Sequence, residues 1–371
     1  VTPDPVWEQG GWDPLSALVG EFEAEVCVVG LGGSGLSAVQ RALALGVSVI
    51  GIDAGIVAGS AAGRNGGFLL AGSAAFYHLA RQQLGAERAR ALYAATIDQI
   101  QQMAEETPAL VRLVGSLRIA LDAAEYDDCL AQHAAMREDG LPVERYAGDE
   151  GRGLYFPTDG AFNPLARARE LAKRALAGGA QLFERSPATV IASGRVTTPG
   201  GVVRAKRIIV AVDGRLEHLL PQLAGRVRSA RLQMLASAPT REVCFPRPVY
   251  ANYGYLYWQQ LPSGEVALGG FRDAFREAEW TIEDTPSDAV QARLERFLCE
   301  HLGVQAPVTH RWAASVGYTG GILPIFAEVL PGVWAVGGYN GTGNVIGALC
   351  GQAAVAQAVT GSSSLARLFS G

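Results

Sequence analysis

The alternation of apolar and polar residues changes period several times along the chain, and each change predicts an element. Residues 1–24 show no period and are rich in Pro, Gly and Trp, so they read as an extended arm. Val26, Cys27, Val28 and Val29 form a β-branched run that stops at Gly30; helical spacing follows over 34–45 and a second β run over 47–52. This order is a βαβ unit. Leu79, Leu84, Ala91, Leu92, Ile97, Ile100 and Met103 recur at spacings near three and four, which predicts a helix from Tyr77 to about Glu106, closed by Pro108. Residues 111–160 mix helix and loop.

Beyond them the pattern predicts a helix over 163–177, closed by Gly178-Gly179, and short strands at 181–183, 189–192, 202–205 and 207–212. From Val227 to Arg272 a two-residue period dominates, with Tyr253, Tyr255 and Tyr257 on one face and Trp258 on the other. Pro262-Ser263-Gly264 turns that stretch into a strand over 266–270, which makes an antiparallel hairpin. A helix over 287–302, strands at 312–316 and 333–336, and a final helix complete the chain. The apolar stretch 344–360 is too short to span a bilayer and is interrupted by Gln352 and Gln357, so no membrane span is expected.

Composition narrows the function classes. The 371 residues are 49% hydrophobic, which excludes a disordered chain and allows one or two compact domains. A net charge of −5, with the two lysines Lys173 and Lys206 far apart, leaves no basic field for nucleic acid. Five cysteines without a CxxC pair suggest neither a disulfide framework nor a zinc site; together with the absence of a secretory-signal pattern they point to the cytoplasm. The five histidines have no metal-ligand spacing and no nucleophile beside them, so a metal site and hydrolase chemistry are not expected. Glycine is the anomaly: 46 residues, about 12% against a usual ~7%.

Part of that glycine falls where a cofactor would need it. Gly30-Leu31-Gly32-Gly33-Ser34-Gly35 matches GxGxxG between the first β run and its helix, a turn that sets a pyrophosphate on a helix N-terminus. Asp53, at the end of the second β run, is the carboxylate placed to accept ribose hydroxyls. The glycine motif alone leaves NAD and FAD open. Gly63-Arg64-Asn65-Gly66-Gly67 adds a polar loop that suits a pyrophosphate and a flavin edge, and Gly338-Tyr339-Asn340-Gly341-Thr342-Gly343 adds a turn between a strand and the last helix.

This order of motifs resembles the FAD-dependent amino acid and amine oxidoreductases, the superfamily of D-amino acid oxidase, glycine oxidase and sarcosine oxidase. The GRNGG loop, the RWAASVGYT segment and GGYNGTG are most similar to its γ-glutamylputrescine oxidoreductase-like branch. The resemblance implies an α/β fold: a Rossmann-type FAD-binding domain with an inserted, mainly antiparallel β-sheet substrate domain. It assigns 25–76, 145–215 and 306–371 to FAD, and 77–144 and 216–305 to the substrate, with 1–24 as the arm. It also implies that Gly30, Gly32, Gly33, Ser34, Gly35 and Asp53 hold the ADP half, that Arg64, Asn65, Gly66 and Gly67 line the pyrophosphate and flavin edge, and that Val190 meets the adenine through its backbone. Gly338, Asn340, Gly341, Thr342 and Gly343 are implied at the isoalloxazine.

The implied reaction is oxidation of a C–N bond in an amine or substituted amino acid by hydride transfer to flavin N5. The resulting imine hydrolyses, and oxygen or another acceptor takes the electrons. Tyr255, Trp258 and Arg272 are the expected substrate contacts. No histidine or cysteine stands where it would tether the flavin, so FAD is expected to be non-covalent. Two departures from the family pattern stand out: Gly321 occupies a frequent acid position, and Val316 stands where α-amino acid oxidases place a carboxylate-binding arginine. They make a simple α-amino acid a poor candidate substrate. They also keep open a flavin-binding subunit with little turnover, beside an FAD-dependent hydroxy acid dehydrogenase.

Overall fold

The computed structural model describes residues Val1–Ser370. The described chain divides into two compact units, one made of Val1–Gln9, Arg64–Asn163 and Arg231–Ser315, the other of Gly10–Gly63, Pro164–Ala230 and 316–370.

In the second unit a strand at Gly20–Val29 pairs in parallel with Gly201–Val210 on one side and Val49–Ile52 on the other, and Gln181–Phe183 extends the sheet beyond Val49–Ile52. Val333–Gly337 adds in parallel to the far half of Gly201–Val210, and Ile325–Leu330 pairs with it antiparallel. Val26–Val29 are buried on both faces, as a parallel strand covered by helices requires. The strand starts six residues before its apolar run because Glu21, Glu23 and Glu25 alternate outward, two of them in ion pairs with Arg204 (3.2 Å) and Lys206 (2.8 Å). Acidic alternation of this kind carries no apolar signal, so the first 24 residues are only partly an arm.

Helix Gly33–Ala44 packs closely on the helix Ile346–Thr360. Glycine permits the approach: a Cβ on Gly351 would run into the Ser34 carbonyl oxygen. That burial explains why Ile346–Thr360 is apolar around most of its circumference. No helix among the described residues is long and apolar enough to cross a membrane.

The first unit is built on an eight-stranded sheet in the order Val308–Tyr318, Arg228–Ser237, Val266–Gly270, Leu256–Gln260, Val249–Ala251, Ser116–Ala120, Gly151–Phe156, Glu144–Gly148. A small sheet of Phe68–Leu69, Gly160–Phe162 and Val111–Arg112 lies in the same unit. These pairings redraw the expected boundaries. Residues 64–76 and 145–163 fall in the first unit because Phe68 pairs with Ala161 and Leu117 with Tyr155. Residues 216–230 fall in the second, where Leu216, Leu220, Leu223 and Val227 join the core with Ile208 and Val210.

Two further expectations are corrected. The helix predicted from Tyr77 to Glu106 is two helices, Tyr77–Leu84 and Ala86–Glu106, broken at Gly85 with φ of 83°. Tyr253 and Tyr255 are not on a strand with Tyr257: Asn252 and Tyr253 take left-handed φ values of 50° and 54°, and the strand begins at Leu256.

Candidate active site

In the second unit the glycine turn and Asp53 form one cluster. The Leu31 N–H donates to Asp53 Oδ2 at 2.7 Å and the Gly55 N–H to Oδ1 at 2.8 Å, so the carboxylate is fixed by backbone on both oxygens. Each oxygen keeps a lone pair for a further donor. Burial pushes the Asp53 carboxyl up, helped by the charge of Glu184, while the two N–H donors hold it down. Helix Gly33–Ala44 starts at Gly32 without a side-chain cap, which leaves its first N–H groups for an outside acceptor. A Cβ on Gly33 would meet nothing within 4 Å, so the approach to that helix end is open.

The same unit organises the C-terminal turn around a residue that no sequence motif marks. The carboxylate of Asp213 accepts the N–H groups of Gly317 (2.8 Å), Gly338 (2.9 Å) and Tyr339 (3.1 Å). Burial pushes its carboxyl up and those donors oppose the shift. Asp213 itself sits at φ of 49°. Tyr339 donates its hydroxyl to Ser34 Oγ at 2.8 Å, which ties this turn to the glycine helix. The signal available in the sequence is Asp213-Gly214 after a β run, a turn pair.

In the first unit the Arg64–Gly67 loop is held by side chains from several segments. Trp312 Nε1 donates to the Arg64 carbonyl at 2.8 Å, Trp7 Nε1 donates to the Asn65 carbonyl at 2.7 Å, and the Gln259 amide donates to the carbonyls of Gly66 and Gly67. The Phe162 N–H donates to the Gly67 carbonyl as well. Asn65 Oδ1 closes the loop by accepting the Gly67 N–H at 2.9 Å. In the same unit Arg272 is buried, its guanidinium 5.1 Å from the ring centres of both Tyr255 and Trp280.

A family model described as FAD dependent oxidoreductase, the DAO family, matches residues 25–357. The chain belongs to that family. This oxidoreductase is 28% identical over 366 residues to "Probable oxidoreductase OrdL" of Rhizobium meliloti (strain 1021), covering 90% of this chain and 83% of that protein. It is 24% identical over 374 residues to gamma-glutamylputrescine oxidoreductase of Escherichia coli (strain K12), covering 91% and 84%. Its fold matches that of glycine oxidase from Geobacillus kaustophilus with a TM-score of 0.75 at 19% identity, over 92% of this chain and 96% of that one.

The oxidoreductase has an α/β fold, as expected, and its cofactor is FAD. The residues present suit that group: an uncapped, open helix start for phosphate and a backbone-fixed carboxylate with spare acceptor capacity for ribose. The sequence-selected residues divide between the units, with Gly30, Gly32, Gly33, Ser34, Gly35, Asp53, Val190 and Gly338–Gly343 in the second and Arg64–Gly67 with Tyr255, Trp258 and Arg272 in the first.

Several side chains are engaged differently from expectation. Trp258 is 4% exposed in a core of Leu117, Leu235 and Val249, edge-on to Phe245; it leaves the substrate group because the strand turns it to the face opposite Tyr257. Val190 stands on an outermost strand, 58% exposed, four strands along the sheet from Val49–Ile52; the backbone bonded to Asp53 and Gly55 is that of Ser186 and Arg185. Arg64 donates to the carbonyls of Ala313 (2.9 Å) and Pro3 (3.1 Å). Asn340, at φ of 55°, accepts the Thr319 N–H at 2.8 Å and donates to the Gly321 carbonyl at 3.0 Å, and Thr342 Oγ1 donates to the Tyr339 carbonyl at 2.7 Å. The helix that follows the glycine turn starts at Ile346, three residues after the turn ends.

Proposed function

We propose that this oxidoreductase oxidises a C–N bond of an amine or substituted amino acid, releasing an imine that hydrolyses to a carbonyl compound and an amine or ammonia. The observation that carries the cofactor half is Asp53, fixed by Leu31 and Gly55 beside an open, uncapped helix start. The nature of the bond is supported by relatives named for glycine and γ-glutamylputrescine oxidation. FAD, when bound, accepts the two electrons, and oxygen or another acceptor removes them.

In this reading Asp53 accepts the ribose hydroxyls, the first turn of Gly33–Ala44 donates to the pyrophosphate, and the backbone of Arg185 and Ser186 replaces Val190 beside the adenosine. Asn65 through Gly67 border the flavin, and the Gly338–Gly343 turn, set by Asp213, lies at the ring. Arg272, held between Tyr255 and Trp280, orients the substrate by its fixed positive charge. Non-covalent FAD is supported on the cofactor side, where Cys27 and Cys350 are buried with their thiols pushed up, Cys27 to about 12, so that neither offers a ready thiolate. The free cysteines accord with a cytoplasmic setting.

Val316 and Gly321, in place of an arginine and an acid, favour substrates whose α-carboxylate is absent or blocked. Product analysis tests the chemistry: turnover should release a carbonyl compound and a stoichiometric amine or ammonia. A carbonyl product formed without nitrogen release from a hydroxy acid would refute C–N oxidation.

A further inference from the structure

The first seven residues do more than lie over the surface. Thr2 pairs in parallel with His310, its N–H donating to the Thr309 carbonyl at 3.0 Å and its carbonyl accepting the Arg311 N–H at 3.0 Å. Pro3 accepts from Arg64 Nη2 at 3.1 Å. Val6 and Trp7 are 7% and 3% exposed, so the segment is anchored by burial as well as by its backbone. Trp7 donates its indole N–H to the Asn65 carbonyl, accepts from Asn163 Nδ2 at 3.4 Å through its own carbonyl, and lies where a Cβ on Gly67 would come within 3.0 Å of its ring.

Two ends of the 64–67 loop are therefore tied to one short segment, which is itself clamped to the strand Val308–Tyr318. With the Asn65, Gly66 and Gly67 carbonyls each holding a donor, the peptide planes of the loop cannot rotate, and the outward direction of its remaining polar groups is fixed before any ligand arrives. We propose that Thr2–Trp7 is a strap that presets the 64–67 loop for FAD, with Trp7 as its positioning residue. The proposal rests on the reading of this loop as a flavin border.

The test uses the full chain freed of flavin and titrated with FAD, with flavin fluorescence as the readout. Trp7→Phe keeps an aromatic ring and removes the indole donor, and should weaken FAD binding about fivefold, the factor that a lost hydrogen bond of this kind represents. Amide exchange at Asn65–Gly67 in the flavin-free protein should quicken at the same time. Trp334→Phe, which alters an indole packed on Phe326 in the other unit, should change neither. Equal weakening by Trp334→Phe, or unchanged affinity in Trp7→Phe while Asn65→Ala weakens it, would overturn the strap alone. Unchanged affinity in both Trp7→Phe and Asn65→Ala would overturn the flavin-border reading and the strap with it.

Discussion

Trp312 and Arg64 are bound to each other's segments in both directions: the Trp312 indole donates to the Arg64 carbonyl at 2.8 Å, and Arg64 Nε donates to the carbonyl of Ala313 at 2.9 Å. Trp312 is fully buried. The RWAASVGYT segment is therefore a brace for the GRNGG loop. Trp312→Phe removes the donor and leaves the Arg64 carbonyl unpaired, which should lower stability by about 1–3 kcal/mol. Urea unfolding of the variant measures this; an unchanged midpoint would show that the brace carries no load.

Asp213 links Gly317 to the Gly338-Tyr339 peptide through one carboxylate. Asp213→Ala strips three backbone donors of their acceptor, so stability should fall by at least about 2 kcal/mol and FAD affinity with it. Thermal melts with and without FAD separate the two effects, since bound cofactor restores stability only if the turn still forms.

Arg231 and Glu279 form a buried bidentate pair at 2.9 and 2.8 Å, and Gln233 adds a donor to the same carboxylate at 2.9 Å. Glu279 precedes Trp280, one of the two rings facing Arg272. Glu279→Ala removes the bidentate partner of the buried Arg231, leaving only the exposed Glu283 at 3.8 Å, and should cost about 3 kcal/mol. Amide exchange over 276–287 should quicken, and KM for the substrate should rise more than kcat falls.

Asp159 makes stability depend on pH. Burial pushes its carboxyl up to about 7, against the Ser116 hydroxyl, the Ala71 N–H and the charge of Arg118. An unfolded aspartate titrates near ~3.9. Between about pH 4 and 7 the folded chain therefore holds the extra proton, and this group's contribution to stability falls as pH rises through that window by about 1.4 kcal/mol per unit. Above about 7 its contribution is flat. Asp159→Asn removes the slope and should be the more stable protein at pH 8; parallel stability curves from pH 5 to 8 would contradict this.

Gly321 stands in open space: a Cβ added there would meet nothing within 4 Å, and its φ is not left-handed. Gly321→Asp should fold normally, within about 0.5 kcal/mol of the parent. Any change it brings should appear in substrate preference, read as kcat/KM across amines and α-amino acids.

The sequence displays the βαβ unit, the glycine turns and Asp53 plainly, because each depends on local chemistry: β-branched runs, glycine where backbones approach, an acid at a strand end. Asp213 and Gln259 are hidden in it because their work is done on peptide groups far along the chain, at Gly338 and Gly66, and no spacing announces that. Tyr255 and Trp258 are close in the sequence, but the left-handed turn at Asn252-Tyr253 keeps Tyr255 off the strand while the strand buries Trp258 in the core. The division of 64–76 and 145–163 into the first unit follows from strand pairings that apolar patterning does not encode.

Anaerobic mixing of the flavin-loaded protein with a panel of primary, secondary and acylated amines, alongside amino acids and hydroxy acids, tests the central claim most directly. At least one amine or substituted amino acid should bleach the flavin absorption band within the mixing experiment, and hydroxy acids should leave it intact. Bleaching by a chemical reductant but by no amine in the panel, or by hydroxy acids alone, would contradict C–N oxidation as the function of this protein.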